Sequence, residues 1–144
     1  MSLNGPINDL SPSCRPPSVD QRKVLVVDDN PEVLRLMVAM VKSRGIPAMA
    51  ASSRDEALLI CQQEGERLAG AIVDFSLCGK GPDNLIDAMR SLAGNLKIVL
   101  TSGLPVEDCF TDADRPLINY YLPKPFRPGD LRAAAEFLMA KYHT

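Results

Sequence analysis

Four apolar runs recur along the chain, and each stops at polar or charged residues. Val24–Val27 is followed by Asp28-Asp29, Leu68–Val73 by Asp74, Leu96–Leu100 by Thr101-Ser102-Gly103, and Leu117–Leu122 by Pro123-Lys124-Pro125-Phe126. Short runs with almost no polar alternation read as strands buried on both faces. Between them the apolar positions shift to helical spacing. Asn30 and Pro31 supply a cap and a first helical position, Val33, Leu36, Met37, Met40 and Val41 form one face, and Gly45 ends the helix. A short strand over Ile46–Ala51 leads to Ser53 and Glu56, spaced as a capping box, with Ala57, Leu58 and Cys61 as the buried stripe. After Asp74 a glycine-rich turn through Gly79 and Gly81 precedes a helix opened by Pro82, with Leu85, Ile86, Met89 and Leu92 inward. The acid-rich segment Pro105–Ala113 has little apolar periodicity and predicts a short, mobile fourth helix. A fifth helix starts near Pro128 and buries Leu131, Ala134, Ala135 and Leu138. Five strands alternating with five helices imply an α/β fold, a doubly wound parallel sheet with right-handed crossovers.

Composition narrows the classes of function. The 144 residues are 46% hydrophobic, enough for one domain with a core of its own. A net charge of −2 gives no electrostatic case for direct nucleic-acid binding or for an anionic membrane. The apolar stretches are broken by Arg35, Lys42 or Asp74, too short for membrane insertion, and no secretory signal opens the chain. Cys14, Cys61, Cys78 and Cys109 are scattered without a CxxC pair, which reads as free thiols in a reducing, cytoplasmic setting. Residues 1–21, with Pro6, Pro12, Pro16 and Pro17 among serines, read as a disordered leader or linker, and the domain as 22–144.

If the strands are parallel, their carboxyl ends share one edge, where such sheets place their working crevice. Any one of these acids has an ordinary explanation, since Asp often turns out of a strand by bonding its own backbone. Together, Asp28, Asp29 and Asp74 would repel one another unless a cation sits among them. An all-oxygen donor set suits Mg²⁺. A carboxylate beside that ion is a candidate nucleophile toward phosphorus. Lys124 and Thr101 then supply partners for the oxygens of a transferring phosphoryl group. The chain must also turn sharply at Lys124 while keeping the ammonium aimed at this edge, so the Lys124–Pro125 peptide is expected cis.

Val24-Leu25-Val26-Val27-Asp28-Asp29, Asp74 after its strand, Val99-Leu100-Thr101-Ser102-Gly103 and Leu122-Pro123-Lys124-Pro125-Phe126 together resemble the receiver domain of two-component response regulators. The resemblance covers roughly Arg22 to Tyr142. It implies the flavodoxin-like strand order 2-1-3-4-5. It implies Asp74 as phosphoacceptor, with Asp28, Asp29, Asp74 and the backbone carbonyl of Ser76 around Mg²⁺. Thr101 and Lys124 would bind phosphoryl oxygens, and Tyr121 would turn inward with Thr101 on activation. The phosphoryl donor would be a histidine kinase or histidine phosphotransfer protein. Output would pass through the predicted fourth helix, the fifth strand and the fifth helix, and a homodimer is a further assembly the resemblance allows. Receivers catalyse their own phosphorylation and dephosphorylation, so the chain is expected to be a signalling domain rather than an enzyme with a separate substrate. By the family's geometry Ser76 and Gly103 flank the path of the hydrolytic water.

One loop departs from the pattern: Phe75–Pro82 carries Cys78 where the family usually has the proline of a Met-Pro pair. The Thr-Ser-Gly-Leu-Pro stretch and the close of the chain resemble receivers that end hybrid sensor kinases. Three other readings compete: an inert α/β domain, a receiver-like interaction module that never takes phosphate, and a flavodoxin-like or nucleotide-dependent enzyme. The first leaves Lys124 without a role, the second usually lacks the acceptor or the acid pair, and the third lacks a GxGxxG or P-loop motif.

Overall fold

The computed structural model describes residues 22–78, 84–94, 96–105 and 118–140. The elements run β1 (Lys23–Val27), α1 (Pro31–Lys42), β2 (Ala48–Ala51), α2 (Arg54–Glu64), β3 (Leu68–Asp74), α3 (Leu85–Ala93), β4 (Lys97–Ser102), β5 (Tyr120–Pro123) and α4 (Pro128–Met139). The strands form one sheet in the order β2-β1-β3-β4-β5. Every pairing is parallel. This is the architecture and strand order expected. Four α-helices lie among the described residues, and α4 is the helix expected fifth; the predicted helix Pro105–Ala113 lies almost wholly outside them, as does the 1–21 leader.

Strand alternation sorts the core into two halves. Val24 and Val26 of β1, Ile72 of β3 and Val99 of β4 join Leu34, Met37 and Val41 of α1 and Leu131, Ala134, Ala135 and Leu138 of α4. Leu25, Val27, Ala71, Val73, Ile98 and Leu100 face the other way, onto Ala57, Ile60 and Cys61 of α2 and Leu85, Ile86 and Met89 of α3. Successive side chains leave a strand on opposite faces, so the unbroken apolar runs are what a sheet covered on both sides requires. Gly70 lets α4 sit directly on β3, because a Cβ there would lie 2.5 Å from Leu138 Cδ2 and 2.8 Å from the Lys97 carbonyl. Burial also raises the Cys61 thiol to about 11, so it stays protonated and inert.

Helix starts differ in instructive detail. Asn30 caps α1 as expected, its Oδ1 accepting from the backbone N–H groups of Glu32 at 3.0 Å and Val33 at 3.2 Å. Such a cap contributes about 1 kcal/mol. Ser53 caps α2 through the N–H of Glu56, but the Glu56 carboxylate reaches back to the N–H and hydroxyl of Ser52, one residue earlier than a capping box would have it. The described part of the third helix begins at Leu85 with Asn84 as its cap, and Pro82, expected to open it, lies outside the described residues. There Asn84 Oδ1 accepts from the Asp87 N–H, a side-chain cap that the proline could not offer. β2 starts at Ala48 rather than Ile46, leaving Ile46 to pack under α1.

Candidate functional site

Parallel pairing carries four strand ends to one edge of the sheet. Asp28 follows β1 immediately, and its N–H donates to the Ala51 carbonyl, extending the pairing with β2 past the strand. Asp74 is the last residue of β3 and lies in register with Thr101 of β4, which in turn lies in register with Leu122 of β5. Lys124 stands just past β5, held by its N–H donating to the Ser102 carbonyl at 2.7 Å. The Lys124–Pro125 peptide is cis, as expected.

Three carboxylates converge there. One oxygen each from Asp28, Asp29 and Asp74 lie within 4.8 Å of one another. Asp28 and Asp74 are buried, whereas Asp29 is exposed. The Lys124 ammonium is 3.1 Å from Asp74 Oδ1 and 3.5 Å from Asp28 Oδ2. Partial burial pulls this ammonium toward deprotonation, but the hydrogen bond and charge of Asp74, with those of Asp28, outweigh it and hold its pKa above the ordinary lysine value. The other oxygens are engaged too. Asp28 Oδ1 accepts from the Asn30 N–H at 2.9 Å, and Asp74 Oδ2 accepts from the Ser76 hydroxyl at 2.5 Å.

One ammonium therefore faces three acids, two of them buried. Like charges held this close favour a further cation, and the donor set is oxygen throughout. The residues fit a hard dication such as Mg²⁺, which takes few protein ligands and keeps its waters. Thr101 adds a second mark of an incomplete site. Its hydroxyl is fully buried and lacks any hydrogen-bond partner among the described residues. A buried orphan of this kind costs roughly 1–3 kcal/mol, so a partner from outside the protein is the economical explanation.

Asp28, Asp29, Asp74, Thr101 and Lys124 are thus brought to one edge. Ser76 reaches Asp74 through its side chain, a contact that sequence reasoning missed while assigning a role to its carbonyl. Tyr121 stands apart from the acids: its ring packs against the core on the α2–α3 side, and its hydroxyl donates to the Leu104 carbonyl. That carbonyl belongs to a turn in which Ser102 Oγ accepts from the Leu104 N–H. Sequence reasoning also missed Arg54, whose guanidinium reaches the turn that follows Asp74. A cation at the first position of a helix opposes the helix dipole, and that mismatch was the only local sign that Arg54 has a distant partner.

The family model of the response regulator receiver domain matches residues 24–136. No curated protein matches the chain in sequence. Among solved structures, the receiver domain of Francisella response regulator 1452 is 21% identical with a TM-score of 0.70, covering 84% of this chain and 98% of its own. A response regulator receiver domain protein from Clostridium thermocellum is 20% identical with a TM-score of 0.73, covering 85% of this chain and 97% of its own. The receiver domain of the hybrid histidine kinase CckA is 20% identical with a TM-score of 0.66, covering 81% and 98%.

Proposed function

Because the chain belongs to the response regulator receiver domain family, we propose that it works in two-component signalling by taking a phosphoryl group onto Asp74 from a histidine kinase or histidine phosphotransfer protein. The observation that carries this reading is the Lys124 ammonium 3.1 Å from Asp74 Oδ1, at an edge where a buried threonine hydroxyl lacks a partner among the described residues.

In this reading an Asp74 oxygen attacks phosphorus in line while the bond from phosphorus to the donor's imidazole nitrogen breaks. The electron pair leaves with that nitrogen, so charge and atoms balance without a further reactant. Asp28, Asp29 and Asp74, with the Ser76 carbonyl, would hold Mg²⁺. When bound, the ion offsets the negative charge that would otherwise keep a phosphoryl group away from three acids. Lys124 neutralises part of the charge gathered on the phosphoryl oxygens. The Thr101 hydroxyl gains the partner it lacks by donating to one of them. The Lys124 ammonium already stands 3.1 Å from Asp74 Oδ1, so that group needs little reorganisation when charge arrives.

Thr101 and Tyr121 are the switch in this proposal. Drawing Thr101 toward a phosphoryl oxygen opens space, and Tyr121 leaves the Leu104 carbonyl to fill it. The message passes to a partner through β5, α4 and the 105–113 segment. The receiver unit spans 22–144, stands alone or within a hybrid kinase, and works in the cytoplasm. No helix among the described residues is long and apolar enough to cross a membrane.

Intact-mass spectrometry after incubation with acetyl phosphate tests the assignment. One added phosphoryl group is expected with Mg²⁺ present, and none in EDTA or in Asp74→Asn. Full labelling in EDTA or in that variant would overturn it.

A further inference from the structure

We infer that Arg54 is a positioning residue for the metal site, holding the turn after Asp74 in the shape that lets the Ser76 carbonyl serve as a ligand. The inference rests on the Mg²⁺ reading above. That turn, Phe75–Leu77, is a single 3-10 turn closed by the Cys78 N–H donating to the Phe75 carbonyl at 3.0 Å. Short 3-10 turns have poor hydrogen-bond geometry and little rigidity of their own.

Arg54 supplies what the turn lacks. Its Nη1 donates to the Leu77 carbonyl at 2.9 Å and to the Cys78 carbonyl at 3.0 Å, while the same Cys78 carbonyl accepts from the Leu85 N–H at 2.6 Å. The guanidinium is half-buried and stands at the first position of α2, where Ser53 caps the helix. β2 in turn fixes that helix start through its register with β1, the strand that delivers Asp28. Arg54 therefore ties the turn carrying Ser76 to the same frame that carries the acids. Both bonds leave one nitrogen, and a planar guanidinium suits this task because it fixes the directions of the two N–H groups on that nitrogen. The sequence position also argues for a specific role, since a cation there opposes the helix dipole.

Metal selectivity separates this role from plain stabilisation. Mg²⁺ demands near-ideal octahedral ligand geometry, whereas Ca²⁺ accepts a flexible shell. Loss of an outer group that orients a ligand costs about tenfold or more in metal affinity. The test titrates the full chain with MgCl₂ and, separately, CaCl₂, reading amide shifts of Asp28, Asp29 and Asp74, with metal-free thermal unfolding as a control. Arg54→Ala is expected to weaken Mg²⁺ about tenfold and Ca²⁺ far less, so the Mg²⁺/Ca²⁺ affinity ratio falls. Arg54→Lys keeps the charge but loses the in-plane pair of N–H groups on Nη1, and should show a smaller fall in the same ratio. If Arg54→Ala does not fold, the lysine variant decides. An unchanged ratio overturns the inference and leaves the metal site standing. A wild-type chain that does not bind Mg²⁺ overturns both.

Discussion

The two edges of the sheet are built from similar materials and finished differently. At the amino edge, beside the start of β4, Arg90 Nε donates to the Leu96 carbonyl and Nη2 to Asn119 Oδ1, both at 2.9 Å. The same Asn119 oxygen accepts from the Ile98 N–H at 2.7 Å. Lys23 pairs with Glu64 one to one at 3.1 Å. At the carboxyl edge one ammonium is shared between two buried acids, a third acid stands exposed beside them, and a buried hydroxyl lacks a partner among the described residues. The first edge is complete as protein. The second leaves clustered acids and, among the described residues, an unpartnered hydroxyl, and that difference is why the proposed chemistry is placed there.

Removing the cation at each edge should break the comparison most visibly. Lys124→Met leaves two buried carboxylates without their counter-charge, and its partial exposure to solvent discounts the loss to about 1–3 kcal/mol in metal-free buffer. Added Mg²⁺ should recover much of that loss, because it supplies the missing charge. Arg90→Met is expected to cost a similar amount, and Mg²⁺ should recover none of it. Urea unfolding of both variants with and without Mg²⁺ reads the contrast directly.

The uncharged groups sharpen the same point. Asn119→Ala should destabilise by about 1–3 kcal/mol, since a backbone N–H and a guanidinium both lose their acceptor. Thr101→Val keeps the volume and removes an orphaned hydroxyl, so the unphosphorylated chain should be unchanged or more stable by up to about 1 kcal/mol. The same variant should take phosphate more slowly from acetyl phosphate. A clear loss of stability in Thr101→Val would mean that the hydroxyl already has a partner.

Alkaline pH gives a smaller contrast. The Lys124 pKa is raised on folding, so its stabilising contribution is full below its unfolded value near 10.5 and fades as pH climbs through the higher folded value. The stability gap between wild type and Lys124→Met should therefore hold at about pH 8 and narrow only beyond about pH 10.5. Burial lowers the pKa of Arg90, but a guanidinium still does not deprotonate in this range, so the gap for Arg90→Met should stay constant.

The smallest effect is on a rate alone. A Cβ at Gly103 would meet nothing within 4 Å, so the first atom of a side chain has room there and Gly103→Glu should fold. By the family's geometry a carboxylate there can orient the hydrolytic water, and the phosphorylated variant should lose its label faster than wild type. Equal decay would place control of that water elsewhere.

Much of this was legible in the chain because it is local. Apolar runs that end in Asp28-Asp29, Asp74, Thr101 and Lys124 announce both the parallel sheet and the edge where its ends meet. The alternating burial of Val24 and Val26 against Leu25 and Val27 follows from strand geometry alone. What stayed hidden depends on contacts across the fold. Arg54 meets the turn 23 and 24 residues away, and Arg90 meets Asn119 at a separation of 29. No periodicity reports such pairs. Asn84 went unnoticed as a helix cap for a different reason: nothing in its spacing marks it, and only the cap bond from Asp87 reveals it.

The central claim is that the carboxyl edge exists to hold a phosphoryl group on one particular carboxylate. Borohydride reduces an acyl phosphate to an alcohol, so treating the labelled chain converts a phosphorylated aspartate into homoserine, which peptide sequencing by mass spectrometry can place. The account predicts homoserine at position 74 alone, dependent on Mg²⁺, with Asp28 and Asp29 unchanged. Conversion at Asp28 or Asp29, or none at position 74 in the presence of Mg²⁺, would contradict it.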